Sequence, residues 1–87
     1  MKKKCLIIFK WPIHLNDFVI TKLSKFYETE YLYISNFNNK SYSEIIDIIN
    51  NSIDTKNIDI VFFDVDSIKL INFFFIKKIK KVKKVLM

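Results

Sequence analysis

Continuous apolar runs and stretches of helical periodicity alternate along this chain. Residues 5–9 are an unbroken apolar run of strand-favouring type, the pattern of a strand buried on both faces. Lys10, Trp11 and Pro12 end it, because proline cannot continue a central strand and holds the preceding residue extended. Val19, Ile20, Leu23, Phe26 and Tyr27 then share one helical face, with Asn16 or Asp17 expected as the cap. Residues 31–34 read as a second strand and residues 36–39 as a loop. The chain has no glycine, so asparagine is the residue best able to turn left-handed in that loop.

The second helix carries the clearest local signal. Ser41 and Glu44 have capping-box spacing, and Tyr42, Ile45, Ile46, Ile49 and Ile53 follow on one face. Residues 58–63 form another two-sided apolar run, a third strand, apart from Asp59 near its start. Asp64, Asp66 and Ser67 close it and are placed to cap a third helix from about Ile68, apolar on nearly every side. Val82, Val85, Leu86 and Met87 suit a fourth strand. The competing reading of the end is one basic amphipathic helix, with Ile76, Ile79, Val82 and Val85 every third residue. That spacing drifts around a 3.6-residue turn, so helix, basic turn and strand is preferred.

The resulting order, β-α-β-α-β-α-β, predicts one α/β domain over residues 1–87. It would be a Rossmann-like parallel sheet of about four strands with helices on both faces. Doubly wound domains usually run to five or six strands. An apolar third helix and an uncovered last strand therefore predict an incomplete doubly wound domain: a piece of a longer protein, or a chain that associates with itself or a partner.

Composition narrows the function classes. Without glycine there is neither a Walker A loop nor a G-x-G-x-x-G fingerprint, since both need close backbone approach to phosphate. The formal charge is +6, and every basic residue is lysine. Lys77, Lys78, Lys80, Lys81, Lys83 and Lys84 crowd the end, so the basic character reads as a property of the tail. The absence of arginine speaks against a nucleic-acid partner. The lysine cluster beside apolar residues suits peripheral contact with an anionic membrane. Cys5 is the single cysteine and His14 the single histidine, so no disulfide forms within the chain, and neither a metal site nor a cofactor is expected. Cys5 reads as a buried, inert thiol. The apolar run after the leading lysines is too short for a signal peptide, and no stretch approaches the ~20 residues of a membrane span. A cytoplasmic location, or one peripheral to the inner membrane, is expected.

In an open α/β sheet, ligands sit beyond the carboxyl ends of the strands. The first strand's end offers Lys10, Trp11, His14, Asn16 and Asp17, and the third's offers Asp64, Asp66 and Ser67. Trp11 suits stacking on a sugar or base, or packing over the top of the sheet, the reading preferred here. His14 suits substrate contact or general-base work, against the commoner solvated loop histidine. Asp64-Val65-Asp66 has the spacing of a carboxylate pair for a hard cation, of a receiver-type phosphoacceptor, or of a simple helix cap; the cap is preferred. Trp11, His14 and Asp66 are therefore the candidate substrate-binding residues, and no residue is assigned to catalysis.

The opening Lys3-Lys4-Cys5-Leu6-Ile7-Ile8-Phe9, the Trp11-Pro12 loop, Phe26 to Leu32, Asp59 to Asp64 and the closing Lys83 to Met87 together resemble the start of bacterial glycosyltransferases of the GT-B fold, most of all the spore-maturation-protein type. The resemblance is one of pattern over nearly the whole chain. It implies two Rossmann-like domains facing a cleft, the first handling the acceptor and the second a nucleotide-sugar donor, usually without metal. This chain would be the acceptor-side part, inactive in isolation. Trp11 and His14 match the position of the acceptor-side loop. The alternatives kept open are a small flavodoxin-like interaction module, receiver-like or dimerising, and a membrane-surface protein using the lysine-rich tail.

Overall fold

The computed structural model describes residues 2–64, 77–79 and 82–87. The order is β1 (Lys3–Phe9), α1 (His14–Ser24), β2 (Tyr27–Tyr33), a 3-10 turn (Ile34–Phe37), α2 (Tyr42–Thr55), β3 (Ile60–Phe63) and β4 (Lys83–Leu86). The four strands make one all-parallel sheet in the order β2-β1-β3-β4. This is an α/β fold with the architecture of a partial Rossmann-like domain.

β1 is central because from Cys5 onward it has nothing polar to solvate. Every side chain from Cys5 to Phe9 is buried. Its pairing with β2 sets Lys3 beside Tyr27 and Phe9 beside Tyr33, and its pairing with β3 sets Cys5 beside Ile60 and Ile8 beside Phe63. Alternate residues then face opposite layers. Leu6, Ile8, Val61 and Phe63 pack with Ile45, Ile46, Ile49 and Ile53 of α2, and Ile79 joins this cluster. Cys5, Ile7, Phe9, Ile60 and Phe62 meet Val19, Ile20 and Leu23 of α1. Two helices on opposite faces are what right-handed crossovers require when the chain moves first to one side of β1 and then to the other.

The helices differ in how well the sequence specifies them. α2 has the expected capping box: the Ser41 hydroxyl accepts from the Glu44 amide, and the Glu44 carboxylate accepts from the Ser41 amide. Burial of four isoleucines then holds its inner face. α1 starts at His14 after Ile13, which has no capping side chain, so the expected cap at Asn16 or Asp17 is corrected. Asn16 lies inside the first turn and is buried there.

Other boundaries move for physical reasons. α1 stops at Ser24, and Tyr27, expected on its apolar face, begins β2 instead. Strand pairing along the full length of β1 outweighs one more helical turn, and Phe26 is left in the connection. Residues 34–37 form a 3-10 turn in place of part of the expected loop. The left-handed residue is Asn57, after α2, with φ 54°. The run expected from residue 58 pairs as a strand only from Ile60. The final segment is a strand, as preferred, and this excludes one continuous helix through Val85. The expected third helix, with Asp66 and Ser67, lies outside the described residues, as do Lys80 and Lys81. No helix among the described residues is long and apolar enough to cross a membrane.

Candidate functional site

In this strand order the chain reverses direction between β1 and β3. β2 lies on one side of β1, and β3 and β4 on the other. The connection after β1 leads to the α1 layer, whereas Ile79, before β4, belongs to the α2 layer. The chain directly after Asp64 lies outside the described residues, but the strand order itself puts the crevice position of such a sheet at the carboxyl edge between β1 and β3. It is the standard ligand position of doubly wound sheets.

Backbone hydrogen bonds knit this edge together. The Asp64 amide donates to the Ile8 carbonyl at 3.0 Å, and the Met87 amide to the Phe63 carbonyl at 2.9 Å, continuing the ladders past the strand ends. The Ser35 amide donates to the Lys10 carbonyl at 3.0 Å and ties the end of β2 to the loop after β1. Because Ile8 pairs with Phe63, Asp64 is level with Phe9, one residue before Lys10. Asp64 is half-buried and Lys10 likewise.

Trp11 projects from the loop and is 50% exposed, outside both core clusters. Half of its surface is thus open to solvent. Its ring carries the Lys10 ammonium 5.3 Å from the ring centroid, a cation–π contact. The loop itself is pinned from below. Asn16 Nδ2 donates to the Trp11 carbonyl at 2.6 Å, and the Ile13 amide donates to the same oxygen at 3.1 Å. An exposed ring on a fixed backbone is a pre-set stacking surface.

His14 is in the first turn of α1, exposed to solvent. Trp11 and Lys10 thus follow β1 and Asp64 follows β3 at one edge of the sheet, with His14 just beyond the loop, and Asp66 lies outside the described residues. Among the described residues no cluster of three metal-ligating side chains forms. The chemistry on offer is binding: an aromatic face for the apolar side of a ring, with an ammonium and a carboxylate for its hydroxyls.

Asn16, expected at this edge as a cap or site residue, acts instead from inside α1: with Val19, Ile20 and Leu23 it completes the inner stripe, so a polar side chain there needed an internal partner. Ser35 escaped the sequence reading, since its part depends on where β2 ends. Cys5 behaves as expected of a buried thiol, and burial pushes it up to about 11. The register places it between Tyr27 and Phe62, whose rings meet edge-on at 5.5 Å. A small residue there leaves room for that contact.

The chain matches no protein-family model, no curated protein and no solved structure.

Proposed function

We propose that this chain is the acceptor-side part of a glycosyltransferase that moves a sugar from a nucleotide-sugar donor, and that the crevice at the carboxyl edge receives the acceptor. The observation that carries the reading is Trp11. It is an exposed ring, fixed through its own carbonyl by Asn16, at the position where doubly wound sheets take ligands. Saccharides present an apolar C–H face that stacks on such a ring and hydroxyls that suit Lys10 and Asp64. The donor-side domain would come from elsewhere, so sugar transfer by these 87 residues alone is not expected.

Trp11 is the sole tryptophan, so its emission reports on the crevice directly. Titration with gluco- and N-acetylglucosamine oligosaccharides should shift that emission saturably, and Trp11→Phe with His14→Ala should weaken binding measured by calorimetry. UDP-glucose alone should leave the emission unchanged. A flat response to every saccharide would sink the reading.

A second reading, a flavodoxin-like interaction module, has its own support. The order β2-β1-β3-β4 places the reversal at β1/β3, as in flavodoxin-like sheets, rather than stacking the third strand outside β2. Leu15 and Phe18 on α1 are exposed. A concentration-dependent mass in light scattering, lost on Phe18→Glu, would favour it.

A further inference from the structure

The other edge of the sheet is basic. All four strands start there, and both helices, running antiparallel to the strands, end there. This edge gathers lysines that are far apart in sequence: Lys2 and Lys3 at the start of β1, Lys25 after α1, Lys56 after α2, Lys78, and Lys83 at the start of β4, all exposed. The acids nearby are turned to local partners. Glu28 pairs with Lys4 at 3.9 Å, and the Asp59 carboxylate accepts from the Lys4 amide at 3.0 Å.

Phe26 stands on the same edge. It occupies the two-residue connection between α1 and β2, next to Lys25, and is 70% exposed. Lys25 has a structural reason to be there, since cations complement the carboxyl ends of helices, and Lys56 pairs with Glu30 at 3.0 Å. The Lys2 ammonium likewise meets a helix end, donating to the Ser24 carbonyl at 3.0 Å, whereas Lys3 and Lys83 stand at strand starts, where no helix dipole calls for them. Nor does Phe26 have a partner in either core cluster. A protruding phenylalanine among lysines combines the two forces that hold a protein on an anionic bilayer: burial of an apolar side chain at the headgroup boundary, and attraction of ammonium groups to the lipid surface.

We infer that the amino-terminal edge of the sheet docks on an anionic lipid surface, with Phe26 inserted and Lys2, Lys3, Lys25 and Lys83 on the headgroups. The lysine-rich tail contributes through its fold rather than as an amphipathic helix. Val85 packs in the α1-side cluster, Ile79 is buried on the α2 side, and the Lys84 ammonium turns back to the Val82 carbonyl at 3.2 Å. Lipid is favoured over nucleic acid because the edge offers point charges around one apolar side chain, with no arginine fork for phosphate or base. The inference is independent of the sugar-transfer reading.

Co-sedimentation of the whole chain with phosphatidylcholine vesicles, with and without phosphatidylserine, tests it. Binding is expected only with phosphatidylserine, and it should fall as salt rises. Each of Lys3→Gln, Lys25→Gln and Lys83→Gln should weaken partitioning about fivefold. Phe26→Ser should weaken it about tenfold. Circular dichroism and the thermal melt, unchanged in each variant, keep the comparison free of unfolding. No binding to phosphatidylserine vesicles at low salt overturns the inference. So does binding that is indifferent to Phe26→Ser and matched by a single-stranded oligonucleotide, which would make the edge a general polyanion surface.

Discussion

Asn16 is the buried polar side chain of the described structure, 4% exposed, and it links the α1 layer to the candidate crevice. Its Nδ2 reaches the Trp11 carbonyl at 2.6 Å. Replacing it with alanine removes one donor, but the carbonyl keeps the Ile13 amide at 3.1 Å and sits beside an exposed loop that water can reach. The loss should therefore be that of an ordinary hydrogen bond, about 1 kcal/mol, and not the larger penalty of an orphaned group. For a domain of this size that lowers Tm by roughly 4–8 °C. Asn16→Asp should be worse, by about 2–3 kcal/mol, because a carboxylate would face a carbonyl, acceptor against acceptor, in a buried place. Thermal melts followed by circular dichroism give the stability change, and Trp11 emission gives the local one. In Asn16→Ala the emission should move towards that of free tryptophan before the melt begins. An unchanged Tm together with unchanged emission would show that the loop is held by something other than this bond.

Further outcomes follow from the core and the caps. Ser41→Ala removes the hydroxyl that accepts from the Glu44 amide and should cost about 1 kcal/mol, with Ser41→Asn close to wild type in urea melts. Ile49→Ala opens a cavity at a fully enclosed position between α2 and the sheet and should cost about 2–5 kcal/mol, whereas Ile49→Val should cost about 0.5–1.5. Burial raises the Cys5 thiol from 9.0 to about 11, so the unfolded thiol ionises first. Stability from this group is full below pH 9 and is lost between pH 9 and about 11, at about 1.4 kcal/mol per pH unit. Subtracting the pH profile of Cys5→Ala isolates that slope from the lysines and tyrosines, and a flat difference would refute it.

The parts of the fold visible in the sequence are those held by strong, local or two-sided signals. β3, and β1 from Cys5 onward, announce themselves because burial on both faces leaves no polar position. α2 does so because a capping box precedes a clean isoleucine stripe. β2 was misplaced because its alternation, Tyr27-Glu28-Thr29-Glu30-Tyr31, is that of a strand with one solvated face, and the preceding helix shares its first apolar residues. Only pairing along the whole of β1 resolves the competition. The crevice was legible as a place, since strand ends follow from strand positions. Its working parts were not: the half-exposure of Trp11, the Asn16 bond to its carbonyl and the Ser35 tie all depend on backbone paths that no spacing encodes.

Charge shows the same limit more sharply, and with a consequence for function. Counted along the chain, the first 76 residues carry nine lysines and nine acids, and the excess belongs to the last eleven residues. Folding sorts those same lysines by height. In a parallel sheet every strand begins at one edge, and each connecting helix returns to that edge, so lysines at strand starts and helix ends converge however far apart they are in sequence. Lys2, Lys3 and Lys25 come from the stretch whose charges cancel, yet they join Lys83 on one surface. Trp11, Lys10 and Asp64 occupy the opposite edge. A bilayer held at the basic edge would leave the crevice open, and a ligand in the crevice would leave the lysines free for headgroups. Phosphatidylserine vesicles should then leave the saccharide response of Trp11 intact. Mutual exclusion of the two would place both on one surface, against the topology.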